Sequence, residues 1–254
     1  MDGTARQQAY DRGHTIFSPD GRLYQVEYAR KAVERGSPAV GIRTDEGVVL
    51  AARKRIGSPL QDPETVTKIH RIDDHLAVAS AGHAADARRL VEHARLVGQR
   101  HRLRYDEPAP VESVTTAVAD HVQESTQTGG SRPFGTALLV AGVDSSRGGG
   151  SDESFELYEV DPSGTPYGWE AVAIGDGAPG IRETFEETFQ ATLDDRDSSE
   201  LSVEEAAVIA LDGLAGEADD PDPVEYDCTT IRSGPELTAS SRADIDRHFE
   251  RAAS

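Results

Sequence analysis

The 254 residues carry 46 acidic and 26 basic side chains, and the resulting net charge of −20 argues against nonspecific association with DNA or anionic membranes. A hydrophobic fraction of 37% in periodic runs suffices for a core, and the length suits one domain spanning 1–254. The single cysteine, Cys228, excludes an intramolecular disulfide and a thiolate metal cluster, which fits a reducing compartment.

The first amphipathic pattern places Leu23, Val26, Ala29, Ala32 and Val33 on one helical stripe, with Ser18 or Asp20 of the Ser18-Pro19-Asp20-Gly21 turn as its cap. Apolar runs at Ala39 to Ile42 and Val48 to Ala52, joined by Thr44 to Gly47, predict a hairpin, and a second hairpin covers Thr67 to Ile72 and Leu76 to Ala81. Two helices follow, one striped by Ala84, Ala87, Val91, Ala94 and Val97, the other by Val111, Val114, Val118 and Val122. Strands return at Thr136 to Val143, Phe155 to Val160 and Glu170 to Ile174, the last two linked by the turn Asp161 to Gly164. A helix carrying Ile181, Phe185 and Phe189 and another carrying Val203, Ala206, Ala207, Ala210, Leu211 and Leu214 precede a strand at Val224 to Ile231 and a charged end helix at 243–254. Residues 144–154, with Gly148 to Gly150, read as a flexible surface loop, and Glu217 to Pro223 as an acidic connection.

Helices arrive in pairs between groups of strands and never singly as crossovers. That order predicts an α+β fold with antiparallel sheets inside helical layers. The longest apolar stretches fall far short of the ~20 residues of a membrane span, and the polar start MDGTARQQAYDRG has no signal-peptide core, so the expected location is the cytoplasm.

Lysine occurs only at Lys31, Lys54 and Lys68, leaving 23 arginines. Acid excess with little lysine suits a salt-in cytoplasm, where carboxylates keep a surface hydrated and molar salt, with a Debye length of ~3 Å, screens their repulsion. An acidic protein from a GC-rich genome is the competing reading.

Spacing alone nominates no active site. Gly175-Asp176-Gly177-Ala178-Pro179-Gly180 fits the dinucleotide-binding pattern G-x-G-x-x-G, but its helix is followed by a second helix rather than a parallel strand, and Asp176 and Glu183 would crowd a pyrophosphate. A glycine turn into a helix is the simpler reading. The eight histidines include no pair at helical ligand spacing, there is no G-x-S-x-G elbow, and Cys228 sits in an apparent strand as a small buried residue. No metal and no cofactor are expected.

The stretch from Tyr10 to Ala29, YDRGHTIFSPDGRLYQVEYA, closely resembles the N-terminal signature of archaeal proteasome α subunits. The likeness continues through Lys68-Ile69-His70, Ala79-Ser80-Ala81-Gly82, Ala85-Asp86-Ala87-Arg88, Arg132-Pro133-Phe134-Gly135 and Asp161-Pro162-Ser163-Gly164, covering about residues 9 to 231. It implies the four-layer α-β-β-α sandwich of N-terminal nucleophile hydrolases, with an extra N-terminal helix. It also implies a non-catalytic subunit of a seven-membered outer ring on a threonine-type peptidase complex.

The alternative is a proteolytic β-type subunit of the same fold, in which an N-terminal threonine is the nucleophile. By the same resemblance, Ser37 stands where that threonine is required, with Gly36 before it and Pro38 after it. Lys68 matches the assisting lysine, Arg53 replaces the orienting acid, and a helix precedes Ser37. A binding module using the fold outside any proteasome is a third class.

The resemblance assigns three surfaces. Tyr10, Asp11 and Arg12, with Pro19 and Tyr28, correspond to the gate cluster, and residues 1–12 to the gate segment. Lys68, Gly36 and Gly82 correspond to a pocket between subunits that captures the C-terminal carboxylate of a hexameric AAA ATPase tail, of the proteasome-activating nucleotidase type. Thr128, Gly129, Gly130 and Ser131 correspond to the pore annulus, with Thr128 where the family pattern has tyrosine. Implied partners are other proteasome α subunits, proteasome β subunits, the ATPase and unfolded protein substrates in transit.

Overall fold

The computed structural model describes residues 17–128, 131–144, 153–195, 201–216, 221–234 and 236–252. Helix α1 (Tyr24–Glu34) opens the described chain and buries Val26, Ala29 and Val33, three positions of the expected stripe. Its N-cap is Leu23, with no side-chain cap. Ser18 instead closes the preceding turn: Gly21 N donates to Ser18 O at 2.8 Å and Arg22 N to Ser18 Oγ at 3.1 Å. The hydroxyl expected to cap the helix is engaged upstream of it.

Strands β1 (Ala39–Arg43) and β2 (Gly47–Arg53) form the first hairpin, whose turn is held by Thr44 Oγ1 accepting from the Glu46 and Gly47 amides. Strands β3 (Ile69–Asp73) and β4 (Leu76–Gly82) form the second, followed by helices α2 (Ala84–Tyr105) and α3 (Val111–Gln127). Next come β5 (Thr136–Asp144), β6 (Ser154–Val160), β7 (Pro166–Gly168) and β8 (Ala171–Ile174). Helices α4 (Ala178–Asp195) and α5 (Val203–Ala215), strands β9 (Tyr226–Arg232) and β10 (Glu236–Ala239), and helix α6 (Arg242–Ala252) complete the order.

The strands make two five-stranded sheets, β10-β9-β2-β1-β8 and β3-β4-β5-β6-β7, and every pairing among the described residues is antiparallel. The period of two divides each central strand between cores. On β2, Val48, Leu50 and Ala52 enter the layer between the sheets, while Val49 and Ala51 face α5 and its neighbours. On β5, Ala137, Leu139, Ala141 and Val143 enter the same middle layer, and Leu138 and Val140 pack against α2 and α3. Both faces are therefore covered, which is why these strands read as unbroken apolar runs. The result is the four-layer α-β-β-α sandwich.

Three differences from the expected elements have local causes. The turn Asp161 to Gly164 leads into β7, a three-residue edge strand with all side chains exposed, so β6 and β8 lie in different sheets. Strand β10 pairs with β9 through four residues, too few for a periodic signal. Val224 belongs to a 3-10 turn, Pro223–Glu225, initiated by Asp222 accepting from the Val224 amide, and the strand starts at Tyr226. Residues 145–152 of the expected loop and 217–220 of the expected acidic connection lie outside the described residues. No described helix is long and apolar enough to cross a membrane.

Candidate functional site

The segment from Gly36 to Pro38 links α1 to β1 and lies where three backbones crowd together. A Cβ on Gly36 would fall 2.2 Å from Gly82 N, and Gly82, at φ +107°, would place its own 2.4 Å from Gly135 O. Glycine is required at both positions, because the close atoms are backbone and cannot swing aside. The glycine motif after β8 serves the same packing. Gly175 has φ +98° and abuts Gly36 to Pro38, and Asp176 N donates to Gly36 O at 2.8 Å. With an antiparallel β8 and a helix after α4, this turn fits against the segment rather than around a pyrophosphate.

Lys68 immediately precedes β3, its carbonyl accepting from Ser80 N at 3.1 Å. Its side chain runs inward to Ser37. Nζ donates to Ser37 O, to Ser37 Oγ at 3.0 Å and to Pro38 O at 3.0 Å. Burial pushes the Lys68 pKa down to about 7, with Asp227 pulling it back up and Arg55 pushing it further down. Ser37 Oγ in turn donates to Arg53 O at 2.5 Å. Arg53 itself turns to Glu225 at 3.2 Å and lies over the Tyr226 ring, while Lys54, 6% exposed, pairs with Asp227 at 2.8 Å. A cleft of about 240 Å³ opens beside Ser37, lined also by Arg53, Lys54, Arg55, Asp176 and Glu225. In a chain of net charge −20, four cations gather around this one segment.

The structure thus brings Lys68, Gly36 and Gly82 together, with the ammonium directed at the Ser37 and Pro38 oxygens. Chemically, Ser37 is an anchored hydroxyl. Its proton goes to a backbone carbonyl, its oxygen accepts from Lys68, and its nitrogen is held in the peptide bond to Gly36, eleven residues of helix lying just upstream.

Of the residues expected at the gate, Pro19 is exposed in the turn before α1 and Tyr28 is 47% exposed on it. Arg22 clasps Glu27, tying that turn to the helix. Tyr10, Asp11 and Arg12 lie outside the described residues, as do Gly129 and Gly130 of the expected annulus. Thr128 ends α3, its hydroxyl donating to Glu124 O at 2.9 Å, and Ser131 N donates back to Thr128 O at 3.1 Å.

One tie next to that turn is not encoded in any spacing. Arg132 binds Asp86 through both oxygens, at 2.6 and 2.8 Å, and Asp86 also accepts from Gly135 N at 2.9 Å. Burial alone would raise the Asp86 carboxyl, but these bonds hold it below the ordinary range. Both residues fall in stretches that carry the family likeness, the only signal for a contact across 46 positions. Cys228, buried on β9, has its thiol pushed up to about 11 by burial and is inert packing.

Two family models match the chain back to back. Residues 10–32 match the N-terminal signature of A-type proteasome subunits, and residues 33–222 match the general model of proteasome subunits. The chain belongs to the proteasome subunit family. Within that family it is α-type, because the signature on residues 10–32 is that of the A-type members and because its relatives are named accordingly. The proteasome alpha subunit of Natronomonas pharaonis is 48% identical over 98% of this chain and 93% of its own length. Proteasome alpha subunit 1 of Haloferax volcanii is 49% identical over 98% and 94%, and the proteasome alpha subunit of Halobacterium salinarum 50% over 97% and 94%. These relatives come from halophilic archaea, the setting to which the acid-rich, lysine-poor composition pointed. Proteasome subunits of α type assemble with other proteasome subunits, so some faces that are exposed on the single chain are contact faces in the assembly.

Proposed function

We propose that this protein is non-catalytic and acts in the cytoplasm as one seventh of the outer ring that gates substrate entry into the proteolytic chamber of β subunits. The observation that carries this reading is the α-type signature on residues 10–32 running into helix α1, which leaves Ser37 inside the chain instead of at a free terminus. The hydrogen bond from Ser37 to Arg53 O, and an arginine where an acid would orient the lysine, support the same reading. Residues 1–9 serve as the plug, and Tyr10, Asp11 and Arg12 with Pro19 and Tyr28 hold the open form. Thr128 to Ser131 line the annulus through which unfolded substrate passes, and Lys68 with Gly36 and Gly82 receives the carboxylate of an ATPase tail.

Purified protein without β subunits is expected to hydrolyse no peptide, because an activated N-terminal nucleophile is missing from the arrangement. Peptidase activity that disappears in Ser37→Ala would overturn this and favour a proteolytic subunit.

A further inference from the structure

The residue at the nucleophile position has three hydrogen-bonding connections, all of which lead to Lys68 or to the strand beside it. Its hydroxyl accepts from Lys68 Nζ at 3.0 Å, its carbonyl accepts from the same nitrogen, and its proton goes to Arg53 O at 2.5 Å. A lysine side chain has four rotatable bonds and samples many rotamers when free. Here it is fixed by oxygens supplied by Ser37 and Pro38. Ser37, unlike Lys68, lines the open cleft.

We infer that Ser37 is a positioning residue for Lys68: its hydroxyl, pinned to the Arg53 carbonyl, holds the ammonium directly behind the cleft wall, where an incoming carboxylate would displace one of the three oxygens that accept from it. The inference rests on the docking role proposed above for Lys68. It gives the serine at the former nucleophile position a task that needs the hydroxyl as a hydrogen-bond relay and needs no reactivity. Alanine would remove one of three acceptors from a buried ammonium together with the hydroxyl's bond to β2, while the Arg53 amide still donates to Pro38 O at 3.0 Å. The ammonium, with one fewer fixed oxygen to solvate it in a buried position, would then lose its proton more readily.

The test uses particles assembled from this chain and β subunits, and the probe is a fluorescent synthetic peptide with a free C-terminal carboxylate, titrated across neutral pH. Binding by the parent weakens as pH rises past the Lys68 pKa, since the carboxylate needs the protonated form. Ser37→Ala is expected to weaken binding about tenfold, the worth of one hydrogen bond to a charged group. It is also expected to move the pH midpoint of binding lower, and Ser37→Thr, which keeps the hydroxyl, restores both. A serine that merely helped the chain fold would leave that midpoint in place. If Lys68→Ala abolishes binding while Ser37→Ala retains the parent's affinity and midpoint, the positioning role is wrong and the docking role stands. If Lys68→Ala binds like the parent, both fall together.

Discussion

Deleting residues 2–9 is expected to raise peptide hydrolysis by the assembled particle to a level that no longer depends on the ATPase. The segment is polar, with glutamines at 7 and 8 and a glycine at 3, and lacks the apolar stripe that would anchor it to the sandwich. On the proposed gating role, its contribution to the closed state is to occupy the axis. A gate closed nine-tenths of the time would give about a tenfold rise on deletion, with the rate for short peptides approaching that of the fully activated particle. Hydrolysis of short fluorogenic peptides with and without ATPase checks this. A deletion that leaves the ATPase response intact would show that entry is limited elsewhere, for instance at the turn containing Thr128.

Lys68→Ala is expected to abolish activation by the ATPase while rings still assemble. A charge-assisted contact in a partly desolvated pocket is worth about 1.5 to 3 kcal/mol, so each site loses roughly tenfold to a hundredfold in tail affinity. Engagement of several tails multiplies that loss. The depressed pKa fixes the sign of the pH dependence. The ammonium is half present at about pH 7, predominates below it and is lost as pH rises through it, so tail affinity is greatest on the acid side and declines above neutrality. ATPase-stimulated hydrolysis followed against pH, with the gate-deleted particle as the control for chemistry in the β subunits, checks both statements. Unchanged stimulation in Lys68→Ala would remove the docking role.

The central sandwich was legible in the sequence because its strands are buried on both faces. Runs such as Val48 to Ala52 and Thr136 to Val143 are short for helices and read as strands, and the order of elements and the family resemblance arranged them into sheets inside helical layers. Helix α1 was legible from Val26, Ala29 and Val33, but its start was not, since the same hydroxyl of Ser18 can cap a helix or close a turn and periodicity does not choose. Strands β7 and β10 were invisible because three or four residues at a sheet edge produce no pattern.

The site was less legible still. Ser37 and Lys68 are 31 residues apart and meet through hydrogen bonds that spacing does not encode, so only the family resemblance joined them. Even so, resemblance supplied the lysine and the glycines without the direction of the side chain. That direction follows from β3 pairing with β4, which sets Lys68 against Ser80, and from the Gly36 and Gly82 backbones in contact, which bring Ser37 within reach.

Ring formation is the premise on which gate and pocket both depend, and the rotational symmetry of the purified protein in high salt tests it most directly. Salt matters because lowering it lengthens the Debye length to ~10 Å at 0.1 M and lets the negative surfaces of neighbouring subunits repel, so rings should loosen on dilution into low salt. Closed rings of seven are expected in high salt, by mass and by averaged particle images. A protein that stays monomeric there at micromolar concentration, or closes with another number, would contradict the gating role.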